Sequence, residues 1–202
     1  RNSLSYSRLA DRPLPRRRGD RPGEREYLAA ASASNLLGFL KACFAPEVEV
    51  LTRRGWVRWD QLEHHDEVAA RHEDDPSGPI EYRGVEALLR YTAEPWAVRL
   101  CGQELRTTAE HPFFVPGRGW VEAKDLAPGD RLLGYTGEPI RVEAVAPTGA
   151  LATVYNATIA GYHTYFVRTP GASAHAAVWA HNAKGADQAS MSVEDTARIK
   201  QR

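Results

Sequence analysis

Read for its hydrophobic and polar positions, the chain falls into three unequal stretches. In the middle one, short apolar or alternating runs recur at 67 to 71, 82 to 91, 96 to 100, 104 to 108, 113 to 115, 120 to 122, 131 to 134, 140 to 146, 153 to 159, 164 to 168 and 177 to 180, most of them separated by Gly, Pro, Asp or Asn. Val48 and Val50, then Trp56 and Val57, predict a further pair of strands joined by a tight turn at Arg53, Arg54 and Gly55. Many short strands at close spacing predict an all-β domain. Before it, residues 24 to 42 favour helix, with Ala29, Ala30 and Ala31 in a row and Leu36, Leu37, Phe39 and Leu40 gathered at the end. After it, residues 183 to 202 turn polar, and Ser192 with Asp195 three residues on reads as the cap of a new helix.

The strand-rich stretch contains an internal echo. Gly55, Trp56, Val57, Leu62 and Asp66 are matched by Gly119, Trp120, Val121, Leu126 and Asp130, at a constant offset of 64. Each copy predicts a strand, one short helical turn ending at the leucine, and a turn into the next strand. Five matches in register imply a duplicated unit and a pseudo-two-fold β architecture.

Composition narrows the function classes. The 202 residues carry 26 Lys and Arg against 26 Asp and Glu, so the global balance points to neither nucleic acid nor membrane as a partner. The charge is uneven: residues 1 to 23 hold seven arginines among three prolines and predict a basic, disordered lead-in. No stretch reaches the length of a membrane span. The arginines at 16 to 18, followed by an uncharged run and Cys43, loosely mimic a lipoprotein export signal, but Glu24, Glu26 and Lys41 spoil the pattern. The chain begins at Arg1 and its one methionine is Met191, which suggests a segment of a longer polypeptide. Cys43 and Cys101 make no disulfide framework, leaving the compartment open.

The candidate chemistry lies at the end of the last apolar run, Val178, Trp179, Ala180, His181, Asn182. The side-chain amide nitrogen of an Asn can attack its own backbone carbonyl, closing a succinimide and breaking the bond to the next residue, here Ala183. The reaction is slow unless a fold holds the attacking conformer and supplies a proton to the leaving amide.

Cys43 at the front, Thr108, Ala109, Glu110, His111 and Pro112 in the middle, Val154, Tyr155, Asn156 through His163, Thr164, Tyr165, Phe166 and Val167 later, and His181 with Asn182 at the end resemble the Hint (hedgehog/intein) self-processing domain. The phrase from Glu110 to Trp120 is most similar to the HINT domains that precede toxin regions in bacterial polymorphic toxins. The resemblance covers about 43 to 182, too short for an inserted homing endonuclease. It implies a horseshoe-like all-β fold, preceded here by one helix, in which the first and last strands meet.

It also implies roles. Cys43 would attack the carbonyl of Ala42 to give a thioester, with His111 protonating the departing nitrogen and Thr108 hydrogen-bonding the twisted peptide. General acid-base help of this kind is typically worth about 10²- to 10⁴-fold. His181 would assist as Asn182 cyclises, and His163 would assist the amide nucleophile or else pack beside Tyr162 and Tyr165. Asn156 stands where many family members carry an acidic residue that tunes the cysteine, which puts the first cleavage in question. Splicing needs Cys, Ser or Thr after the Asn, and Ala183 cannot serve; the expected outcome is cleavage rather than ligation.

Other candidates are weaker. Cys101, at a strand end, reads as core. His64, His65 and His72 read as solvated. No close Cys and His pairing has the usual spacing of a metal site, so neither metal nor cofactor is expected. The expected organisation is a lead-in at 1–23, a helical flank at 24–42, the autoprocessing domain at 43–182 and the start of a C-terminal flank at 183–202. It would act once, in cis and as a monomer, on its own flanking segments, releasing a toxin or other cargo from a larger polypeptide exported by a bacterium. Two rivals stand beside this: a catalytically weak Hint domain kept as a structural or presentation module, and an unrelated β-rich binding domain.

Overall fold

A computed structural model describes residues 42–182. The lead-in at 1–23, the flank at 183–202 and all but the last residue of the helical flank at 24–42 lie outside the described residues. Within them the domain is all-β, with thirteen strands and three single 3₁₀ turns.

The strands are β1 (Glu49–Thr52), β2 (Gly55–Arg58), β3 (Glu67–Ala70), β4 (Glu81–Ala93), β5 (Trp96–Leu100), β6 (Gln103–Thr107), β7 (Pro112–Val115), β8 (Gly119–Glu122), β9 (Arg131–Leu133), β10 (Pro139–Pro147), β11 (Ala152–Ile159), β12 (Thr164–Arg168) and β13 (Val178–His181). Every run read from the sequence is a strand. One sheet has the order β11-β4-β3-β1-β12-β13-β7-β8, with β2 paired to β1, and a second has the order β6-β5-β10-β9.

The duplicated unit extends beyond the five matching residues. Trp59–Gln61 and Ala123–Asp125 each form the predicted 3₁₀ turn, capped at Leu62 and Leu126. Asp66 accepts from the Glu63 N–H and pairs with Arg54; Asp130 accepts from the Ala127 N–H and pairs with Arg118. Both sets obey the same offset of 64. In each copy the aspartate staples the strand hairpin to the turn that follows the 3₁₀ helix, because one carboxylate can accept from a backbone N–H and an arginine together. The hairpins differ by one loop residue, two between β1 and β2 and three between β7 and β8.

Strands β12 and β13 are buried along almost their whole length, which explains their unbroken apolar runs. Tyr165, Val167, Val178 and Ala180 face the main core with Phe44, Trp59 and Phe113, while Phe166 and Trp179 face a second cluster with Leu51, Ala69 and Leu133. Trp120 and Phe114 pack directly on Trp179. Truncating a wholly buried Trp such as Trp179 costs about 3–5 kcal/mol. The strand that ends in His181 and Asn182 is thus clamped on both faces, and its end has little freedom.

One reading is corrected. Cys101 is exposed, not core. It and Gly102 form the two-residue turn between β5 and β6, with φ of 51° and 74°, and two positive φ values are what a tight hairpin of this twist requires. His64, His65 and His72 are exposed, as their polar surroundings predicted.

Candidate active site

The front of the domain is held by backbone pairing. Phe44 exchanges both hydrogen bonds with Tyr155 on β11, each 2.8 Å, and the Ala45 N–H donates to the Arg106 carbonyl on β6 at 3.0 Å. This fixes Cys43 at the mouth of β6. Its N–H, which is the nitrogen of the Ala42–Cys43 peptide, donates to Thr108 Oγ1 at 2.9 Å. Its carbonyl accepts from Thr107 Oγ1 and the Thr108 N–H, both 2.9 Å. Thr108 therefore holds the peptide expected to break. Thr107 is a second anchor that the sequence did not single out.

The thiol of Cys43 is buried, and burial, with a smaller contribution from Glu110, pushes it up to about 12. The thiolate is a trace species at neutral pH, so any attack by Cys43 needs a base. His111 is the candidate the sequence offers: it is fully buried, 4.0 Å from the Phe44 ring centroid, with Nε2 3.4 Å from the Tyr165 hydroxyl. Burial drives His111 down to about 3, with the Cys43 backbone acting against that shift and His181 adding to it. It is neutral at physiological pH, and its Nδ1 makes no hydrogen bond of good geometry. A neutral imidazole has an acceptor nitrogen for the thiol proton, but these opposed shifts make the transfer strongly uphill in the resting site.

The back of the domain meets the same strand. The Asn182 N–H donates to the His163 carbonyl at 2.7 Å. Asn182 Nδ2 donates to the Ala157 carbonyl at 2.8 Å, and Asn182 Oδ1 accepts from Asn156 Nδ2 at 3.0 Å. Asn156 Oδ1 in turn accepts from the Ala157 N–H at 2.8 Å. These orientations are forced, since a backbone N–H only donates and a carbonyl only accepts, so each amide has one way to face. Asn156, placed by its sequence position beside the cysteine, hydrogen-bonds the other nucleophile. The donor on Oδ1 and the acceptor on the Nδ2 hydrogen fix the orientation of the Asn182 amide, and the acceptor leaves electron density on its nitrogen.

Both ends of the domain therefore converge on three consecutive residues of β11: Phe44 pairs with Tyr155, and Asn182 bonds Asn156 and Ala157. His181 stands under the Trp120 ring, centroids 4.8 Å apart, and its Nε2 lies 2.5 Å from Glu73 Oε2. His163 takes a positive φ of 54° in the turn before β12 and holds Asn182 through its backbone; its Nδ1 approaches Glu73 at 3.5 Å without hydrogen-bond geometry. Glu73 was missed because it lies in the polar connection between β3 and β4, 108 residues from its partner, with no local pattern to mark it. Among the described residues no group of three His, Cys, Asp or Glu side chains is arranged to hold a metal.

A family model described as the pretoxin HINT domain matches residues 49–183. The chain belongs to that family. The match includes Thr108, His111, His163, His181 and Asn182 and begins just downstream of Cys43. A bacterial intein-like domain from Clostridium thermocellum superposes with a TM-score of 0.60 at 27% identity, covering 69% of this chain and 97% of that one. The gp41-1 intein (TM-score 0.56, 15% identity, 69% and 98% covered) and a DnaB intein from Synechocystis sp. PCC 6803 (0.57, 16%, 69% and 97%) share the fold. No curated protein sequence matches the chain. The HINT domain thus has the intein fold, the fold of domains with a general capability for self-processing.

Proposed function

We propose that this HINT domain cuts its own backbone after Asn182. Asn182 Nδ2 attacks the Asn182 carbonyl carbon and gives up a proton, the bond to the Ala183 nitrogen breaks, and that nitrogen takes up a proton in balance and leaves as a free amine. The product ends in a succinimide, and the segment from Ala183 onward, a toxin in the sense of the family's description, is released. What supports this reading is the amide chain Ala157–Asn156–Asn182, which fixes the nucleophile in a buried site.

Cys43 supplies the second, slower event. Its sulfur attacks the Ala42 carbonyl, the peptide nitrogen leaves protonated, and water or an added thiol resolves the thioester. Alanine at 183 offers no acceptor for the acyl group, so the flanks part rather than join.

A second reading, a structural module with weak chemistry, draws support from one observation: burial and Glu110 hold the Cys43 thiol at about 12. The purified chain separates the two readings when incubated at neutral pH beside Cys43→Ala and Asn182→Ala. Release of the C-terminal segment from the wild type and from Cys43→Ala, but not from Asn182→Ala, is the expected result. Three intact chains, even with added thiol, would leave the structural module.

A further inference from the structure

Glu73 is a nearly buried carboxylate, its side chain 11% exposed, at a site where burying a charge is costly unless it is paired. It is carried by the connection between β3 and β4, which is tied down at both ends of the acidic residue. Arg71 Nη1 donates to the Pro76 carbonyl at 2.8 Å, and Trp120 Nε1 donates to the Glu73 carbonyl at 3.3 Å. The same Trp120 meets the His181 ring edge to face. One indole therefore sets both the backbone that carries the carboxylate and the ring that meets it.

We propose that Glu73 is a positioning residue for His181: its carboxylate accepts the Nε2–H of the imidazole, fixes ring and tautomer, and leaves Nδ1 to exchange a proton with the Asn182–Ala183 bond. This rests on cleavage after Asn182. The logic is that of a carboxylate orienting a histidine in a hydrolase triad, where the acid selects the ring nitrogen that works and stabilises the imidazolium. In this site the protonated ring, its Nε2–H on Glu73, gives its Nδ1 proton to the departing Ala183 nitrogen and takes up in return the proton that Asn182 Nδ2 loses on closing the ring, while Glu73 stays ionised throughout.

The titratable groups around His181 come from three other elements. Glu73 faces it from the β3–β4 connection, His163 from the turn before β12 with ring centroids 6.5 Å apart, and His111 from the approach to β7, close enough that its charge and that of His181 oppose each other. Of these described groups, Glu73 is the one within hydrogen-bond distance of the His181 ring.

Two measurements test this. In the Cys43→Ala background, Glu73→Gln is expected to slow C-terminal cleavage about tenfold at neutral pH and to move the alkaline limb of the pH–rate profile to lower pH, with Glu73→Asp recovering part of both. In the uncut Asn182→Ala chain, the nitrogen NMR resonances of His181 report its tautomer and titration directly. There Glu73→Gln is expected to abolish the preference for Nε2–H and to lower the titration midpoint by about one unit. An unchanged tautomer and midpoint in Glu73→Gln would overturn the role of Glu73, whether or not the wild type cleaves. Altered titration in a chain whose wild type never cleaves would retain the Glu73–His181 pair while removing the reaction it serves, and so overturn the proposed role.

Discussion

Asn156→Asp places at this position the kind of residue many Hint domains carry, yet the geometry predicts that it harms the C-terminal step. The introduced carboxylate can still accept from the Ala157 N–H, but it turns an acceptor toward Asn182 Oδ1 where Asn156 presents a donor. If Asn182 keeps its orientation, two oxygens face each other in a buried site. If its amide flips, Nδ2 gains a charged acceptor, but Oδ1 then faces the Ala157 carbonyl, which loses the bond it now accepts. Either way one buried polar group is left unmatched, which costs about 1–3 kcal/mol. Carried into the barrier for cyclisation, that is about a 5- to 150-fold slower release. The assay is the intact-mass time course in the Cys43→Ala background, compared with Asn156→Ala. The introduced group recovers a donor when protonated, so the defect should shrink as the pH falls, whereas that of Asn156→Ala should not. Release by Asn156→Asp at the wild-type rate or faster would refute the assignment of Asn156 to Asn182.

Other outcomes follow from burial and strain. His111 is held neutral by burial, with its folded value lowered from 6.5 to about 3, so its contribution to stability is present above pH 6.5 and is lost as the pH falls through that window. The ceiling is about 5 kcal/mol, and denaturant midpoints measured across the window should show a slope that weakens in His111→Gln. Iodoacetamide at neutral pH should label exposed Cys101 in the native chain and leave buried Cys43 unmodified until denaturant is added; the mapped adducts decide it. Gly134→Ala would drive a Cβ to 2.4 Å from the Glu138 carbonyl oxygen beside the bridge to Val178, and a loss of about 1–3 kcal/mol is expected by thermal or urea unfolding.

Much of this site was legible from the chain alone because its parts carry chemistry that few residue types can supply. Cys43, the Thr108 to His111 phrase and the His181–Asn182 pair each stand out by type and order, and the tryptophan repeat marks the duplicated unit whose second copy packs on the strand bearing Asn182. What escaped was of another kind. Thr107 and Glu73 act through long-range contacts, and neither a threonine at a strand end nor a glutamate in a polar connection differs from its neighbours until the chain is folded. Asn156 was noticed at the right place, but was linked to Cys43. The strand it sits on serves both ends of the domain, and only the alternation of side chains along it decides which nucleophile each residue meets. Cys101 was misread because the end of an apolar run is core in a buried strand and solvent in a hairpin turn, and the pattern does not separate these.

The most direct test of the account is the chemical identity of the new C terminus. Mass spectrometry of the wild-type chain, incubated at neutral pH and digested without alkaline steps, is expected to find a peptide ending at Asn182 that is lighter by one water than the free acid and is converted to it by mild base. A chain that remains whole, or a cut product with an ordinary carboxylate from the start or an end at any other residue, would contradict cyclisation at Asn182.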